Sequence, residues 1–262
     1  MLDDLSTLEL GGGLVETTTV GGFKLTIPSG LDRYADAQID DYRQLPRSRF
    51  HWRPPLRLEL EARATPAALL GTMGFGFWND PFALSLGQGG AARRLPALPQ
   101  AAWFFYGSPP NDLSLGGVSP PAGWLAMTMR SIHVPIGVVG LPILTAWVLA
   151  RVSSVRGVLF RAARRIVHID SAAIRASIDD WHAYSLAWLP DRIMFRVDDE
   201  LVLSSTVLPH APLGFVAWID NQYLCASPAA GLKFGVLPTT SPQALDIKSI
   251  AITEPETAVP SG

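Results

Sequence analysis

Trp181-His182-Ala183-Tyr184-Ser185-Leu186-Ala187-Trp188-Leu189-Pro190-Asp191-Arg192-Ile193-Met194-Phe195-Arg196-Val197-Asp198 is the stretch whose pattern decides the fold. His182, Tyr184, Leu186 and Trp188 recur every second residue, so an extended chain places all four on one face. Leu189-Pro190-Asp191 has the residues of a turn. Ile193, Phe195 and Val197 then alternate again. Asp198-Asp199-Glu200 marks a second tight turn before Leu201-Val202-Leu203.

The same period appears on both sides of this stretch. Leu56-Arg57-Leu58-Glu59-Leu60-Glu61-Ala62 alternates strictly. Met73–Trp78, Ala101–Tyr106, Trp124–Met129, Gly214–Asp220 and Leu245–Ile252 are further strand candidates, most of them closed by Gly, Pro, Asn or Asp. Gly74 and Gly76 leave room on one face of their strand for a neighbour or a ligand. Residues 1–56 are turn-rich and only weakly periodic. Many short strands with short turns predict an all-β fold, a two-sheet antiparallel sandwich of the jelly-roll type over residues 1–252. Residues 253–262 are polar and read as a disordered tail.

Composition narrows the function. The 262 residues include 23 glycines and 22 prolines, 48% are hydrophobic and 17% charged, and the net charge is −2. A chain this apolar can bury a large core. Its near-neutral balance gives no overall field for nucleic acid. One cysteine, Cys225, excludes an internal disulfide and a cysteine metal cage. His51, His133, His168, His182 and His210 are scattered without metal-ligand spacing, so no metal and no cofactor is expected. The acidic start MLDDLSTLEL lacks the features of a signal peptide, and the expected location is the cytoplasm.

The period changes between residues 131 and 179. Twenty residues from Ser131 to Ala150 carry no formal charge. That length suits a membrane span, but strands of one sheet system on both sides exclude a single crossing. The expectation is a helical insertion over 133–179: helices at about 142–152, 155–167 and 171–179, the last capped by Ser171. The second places Val155, Val158, Leu159, Ala162 and Ile166 on one side and Arg156, Arg161, Arg164 and Arg165 around the rest. Such a helix packs its apolar side on the domain. The alternative is peripheral membrane contact through 133–167.

The H-x-Y-x-x-x-W strand of His182, Tyr184 and Trp188, the Pro190-Asp191 turn and the I-x-F-x-V-D strand of Ile193 to Asp198 resemble glycoside hydrolase family 16 and its laminin-G-like relatives in the concanavalin A-like superfamily. Leu245 to Ile250 looks like that family's closing strand. The resemblance implies a jelly roll with a ligand cleft on a concave sheet. It stops at the chemistry. The family's E-x-D-x-E signature, which supplies nucleophile and acid/base, is absent. The matching strand, Gln100 to Tyr106, has no carboxylate, while a retaining glycosidase needs two carboxyls about 5–5.5 Å apart.

Aromatic side chains beside amides and carboxylates suit sugars and other partly apolar ligands: rings stack on C–H surfaces, and planar polar groups take hydroxyls. Three segments have this mixture, and the candidate ligand residues are Trp78, Asn79, Asp80, Trp103, Tyr106, His182, Trp218, Asp220, Asn221 and Gln222. Weak catalytic candidates are His182, Asp80 and Asp220. The leading expectation is a non-hydrolytic binding protein for a carbohydrate or another small, partly apolar molecule. A divergent glycosidase or other enzyme using the same cleft is the alternative.

Overall fold

The computed structural model describes residues 5–18, 21–30, 32–81, 97–115, 117, 122–132 and 153–254. Sixteen strands and one longer helix follow one another among these residues: β1 (Ser6–Leu10), β2 (Leu14–Thr17), β3 (Phe23–Ile27), β4 (Asp36–Asp40), β5 (Leu56–Thr65), β6 (Thr72–Trp78), β7 (Ala101–Gly107), β8 (Gly123–Ser131), α1 (Ser153–Ile166), β9 (Val167–Ala173), β10 (His182–Trp188), β11 (Ile193–Val197), β12 (Glu200–Ser205), β13 (Gly214–Asp220), β14 (Gln222–Ser227), β15 (Gly231–Val236) and β16 (Gln243–Thr253). They form two seven-stranded antiparallel sheets in the orders β1-β4-β13-β6-β7-β8-β9 and β12-β11-β10-β5-β16-β3-β2, and β14 and β15 make a separate hairpin. This is the two-sheet antiparallel sandwich the alternation predicts.

The core lies between the sheets. Phe75, Phe77, Phe104, Phe215 and Trp124 enter from the first sheet, and Leu58, Leu60, Tyr184, Trp188 and Phe195 from the second. Phe104 meets Phe195 edge-on at 5.2 Å and Tyr184 at 5.1 Å, the offset geometry aromatic rings prefer. Tyr184, Leu186 and Trp188 share the inward face of β10, opposite Leu60, Leu58 and Leu56 of β5. Asp198 and Asp199 both have positive φ, 47° and 65°, as the two-residue turn of a hairpin requires.

The insertion differs from its sequence reading. The segment 155–167 is helical, as Ser153–Ile166, but 171–179 holds no helix. Ser171 caps nothing; it belongs to β9, which pairs with β8 along its full length. Val167, Ile169, Ser171 and Ala173 alternate, and the unpaired edge of β8 gives that alternation a partner. Nor is the apolar side of α1 buried on the sandwich: Val158 is 54% exposed and Ala162 is also exposed. The helix at 142–152 and the tail from 255 lie outside the described residues. So do most of the Gly/Ala loop at 86–98 and the first four residues of the chain.

Candidate site on the outer face of the first sheet

Alternation gives each strand of the first sheet an outer row. β6 contributes Thr72, Gly74, Gly76 and Trp78, because Met73, Phe75 and Phe77 point into the core. In register beside it, Trp218 of β13 lies opposite Gly74, and Trp103 of β7 lies opposite Gly76. The glycines leave the space that the rings occupy. A Cβ on Gly74 would stand 2.7 Å from the Trp218 ring, and one on Gly76 would stand 2.8 Å from Cβ of Trp103. The room predicted at these glycines is therefore filled by the protein's own side chains. Trp78, Trp103 and Trp218 form one cluster: Trp78 and Trp218 lie nearly parallel at 6.3 Å, and Trp103 sits 5.6 Å and 5.2 Å from them.

This outer face is a second apolar layer. Phe105, Leu125, Met127, Met129 and Val216 are buried on it with the tryptophans. A roof covers part of it. Asp112 N–H donates to Leu224 O, and Ala226 N–H donates to Asp112 O, so the segment after β7 is stitched to β14. Buried Asn111 locks the joint, accepting from Leu224 N–H at 2.9 Å and donating to Ser108 O at 2.8 Å.

Beneath the roof is a cavity of about 140 Å³ walled by Trp78, Trp103, Met129, Leu113, Leu224 and Ala226 among others. Its size compares with that of dry cavities that hold a benzene-sized guest, about 150 Å³. A larger one of about 360 Å³ adjoins it, lined by Ser114, Arg164, His168, Asp170 and Ser171. The two share Leu115, Val167 and Ile169 as wall. The Ser171 hydroxyl and the Trp103 indole N–H are buried without hydrogen-bond partners among the described residues. Burying such groups unpaired costs free energy, about 1–3 kcal/mol each.

At the other end of the face two carboxyls meet. Asp36 on β4 lies directly opposite Asp220 on β13, with Cβ atoms about 4.5–5.5 Å apart as in any antiparallel pair. Asp220 Oδ1 accepts from Thr72 Oγ1 at 2.7 Å and from the Gln222 amide at 3.0 Å. Trp218 Nε1 donates to Thr72 Oγ1 at 3.0 Å, which ties the pair to the tryptophan cluster. Burial pushes Asp220 up to about 7. Burial, with the charge of Asp220 added, raises Asp36 well above the ordinary carboxylate range. Asp36 Oδ1 has no hydrogen-bond partner among the described residues. Tyr34 donates to Asp36, and its own hydroxyl is raised mainly by burial.

The ten ligand candidates therefore separate. Trp78, Trp103 and Trp218 come together, and Asp220 joins them through Thr72. Asn79 is a clamp: its amide donates to Leu98 O, and its carbonyl accepts from Gln100 N–H. Asp80 sits at positive φ, and its carbonyl takes a hydrogen bond from Arg47. Asn221 is fully buried and holds Ala35, Arg33 and Leu237 together. Gln222 starts the hairpin and is exposed. Tyr106 lies on the core side of β7, three residues from Trp103 and so on the opposite face, with its hydroxyl donating to Leu69 O. His182 lies in the second sheet, its Nδ1 2.5 Å from Asp198 Oδ2. It does not meet Asp80 or Asp220 in one site.

Sequence reading overlooked Asp36, Thr72, Asn111, Ser171, Leu224 and Ala226. The first had a signal: in Asp36-Ala37-Gln38-Ile39-Asp40 polar and apolar residues alternate, as on a half-buried strand. The others had none, since contact with the site depends on pairing between distant segments. Among the described residues, no group of three His, Cys, Asp or Glu side chains is placed to hold a metal.

No protein-family model matches the chain, and no curated protein is similar to it. Several solved structures are. The potassium-bound carbohydrate recognition domain of Emp46p shares 9% identity over 97% of this chain and 89% of its own, with a TM-score of 0.46. Bacillus licheniformis β-glucanase shares 10% over 95% and 91%, at 0.46. A Crh5 transglycosylase in complex with NAG shares 13% over 97% and 80%, at 0.48. At such identities and scores the fold assignment rests on the strand order itself.

Proposed function

We propose that the protein is a non-hydrolytic binding protein whose outer first-sheet face takes a carbohydrate or another small, partly apolar ligand. The observation that carries this reading is the pair of adjoining cavities. One end is apolar and walled by Trp78 and Trp103; the other offers Ser171, His168, Asp170 and Arg164. A ligand with an apolar group and a hydroxylated or amide-bearing part matches both ends. β7, the strand where the family-16 signature would sit, supplies only Ala101, Trp103, Phe105 and Gly107 to this face, none of which can transfer a proton.

Titration calorimetry with cello-oligosaccharides and with alkyl and aryl glycosides tests it. Glycosides with an apolar aglycone are expected to bind more tightly than the bare sugars. Ala226→Leu should fill the apolar end and weaken the best ligand about four- to fifteen-fold, since one or two lost methylene contacts are each worth about 0.8 kcal/mol. Binding of none of these compounds would sink the reading, as would affinity indifferent to Ala226→Leu.

A second reading, an acid–base enzyme, is favoured by one observation: the facing Asp36 and Asp220 carboxyls, one of which keeps its proton near neutral pH. Release of reducing ends from a glycan, abolished in both Asp36→Asn and Asp220→Asn, would establish it. Absence of turnover in the purified protein is the result expected from the binding reading.

A further inference from the structure

We propose that α1 docks the protein on anionic lipid bilayers. The inference does not rest on the ligand reading, although Arg164 of the same helix lines that cavity. It starts from charge. Residues 131–169 contain Arg151, Arg156, Arg161, Arg164 and Arg165 and no Asp or Glu, in a chain whose net charge is −2. Asp170, just beyond it, faces the cavity that Arg164 also lines, so along the sequence this segment is a run of positive charge on a mildly acidic protein.

The structure shows which side of the helix is outermost. Val158, Arg161, Ala162 and Arg165 are all exposed, and their spacing of three and four residues makes them one stripe along α1. Phe160 points the other way and is buried. Arg156 is turned to the protein and donates to Ala229 O at 3.1 Å. The apolar members of the stripe are thus uncovered: Val158 is 54% exposed. Ile132 is a second exposed apolar side chain near the helix. Its N–H donates to Ile166 O, which places it at the C-terminal end of the helix, and it is 44% exposed. The sequence entering this region, 131–150, is uncharged.

An apolar stripe flanked by arginines selects its partner. Apolar side chains enter the headgroup–acyl boundary while guanidinium groups stay among phosphates, and long arginine stems reach that level readily. A bare polyanion would use the arginines and leave Val158 and Ile132 in water. An apolar protein groove would leave the arginines unpaired. No described helix is long and apolar enough to cross a bilayer, so the contact is one of a helix lying on the surface.

Vesicle flotation of the full chain tests the proposal. Binding is expected to mixed phosphatidylcholine–phosphatidylserine vesicles, with little to pure phosphatidylcholine, and it should fall in high salt. Neutralising an arginine near the surface weakens binding about five-fold, so Arg161→Gln with Arg165→Gln should cost about twenty-five-fold. Val158→Asp should weaken it as well. All three positions are exposed, so the variants should keep the wild-type Tm. Arg57→Gln, on the second sheet, should bind like wild type. No binding to the anionic vesicles overturns the proposal, as does equal binding to neutral ones, or insensitivity to the helix variants. Retention of an RNA oligonucleotide but not of vesicles, lost in the same variants, would mark a nucleic-acid surface and overturn it too.

Discussion

Gly76→Ala is expected to unfold the protein or lower its stability by about 3–5 kcal/mol. Gly76 has φ of +147°, a conformation that costs any residue with a Cβ. The added carbon would also stand 2.5 Å from Ala102 O and 2.6 Å from Trp103 Cα. These are main-chain atoms of β7, which cannot move without breaking the β6–β7 ladder. The damage should reach the site, because Gly76 stands opposite Trp103, whose own Cβ the added carbon would approach to 2.8 Å. In a chain of this size each kcal/mol shifts Tm by roughly 2–4 °C, so a fall of about 6 °C is the smallest expected. Gly157→Ala is the contrast. It lies in α1 with only Arg161 Nη1 nearby, at 3.7 Å, and alanine in a helix interior gains about 0.5–1 kcal/mol over glycine. Thermal melts of the two variants decide the matter: equal, small effects would show that the close approach at Gly76 is not what holds the face together.

Stability should fall as pH rises from about 4 to 7, the reverse of the usual acid sensitivity. Asp220 is raised by burial to about 7 in the folded chain, against 3.8 for an unperturbed carboxyl. Below pH 4 both states hold the proton and the group is neutral to folding. Between 4 and 7 the unfolded chain has released a proton that the folded chain keeps, so deprotonation is increasingly resisted in the native state and stability is lost. The slope is about 1.4 kcal/mol per pH unit and the total about 4 kcal/mol. Asp36 adds to it in the same direction, as does Asp41, raised to about 6 mainly by burial. Asp220→Asn should flatten the profile and raise stability at pH 8. Its side-chain oxygen can still accept from Thr72 and Gln222, and its amide can donate across to Asp36. Denaturant melts at pH 5 and pH 8 test this. A wild-type protein more stable at pH 8, or a variant with an unchanged slope, would show that the pair is not held protonated by burial.

Much of the sandwich was legible because strand alternation is a local property. Leu56 to Ala62, His182 to Trp188 and Ile193 to Val197 each show both faces within seven residues, and all three pair side by side. Where alternation is too short to read, as in β1 to β4, the sequence looked like turns. Where it follows a helix without a break, as in β9, the helical period ran on into it. Period two also separates Trp103 from Tyr106, three residues apart, so part of the site error was avoidable from sequence alone.

The site itself is another matter. Alternation divides a strand into two faces without saying which meets the opposing sheet, and on the first sheet both faces are apolar and buried. Only the pairing of β13 with β4 and β6 sets Asp36 opposite Asp220 and Trp218 over Gly74. Only the seam from Asn111 and Asp112 to β14 encloses the cavity at Trp103. Sequence therefore determined the strands with a long enough alternation, the absence of the family-16 carboxylates and the basic stretch around α1, since each is a property of neighbouring residues. Tertiary structure decided which tryptophans share a wall and which carboxyls face each other, because those contacts join segments far apart in the chain and depend on register, which no local pattern encodes.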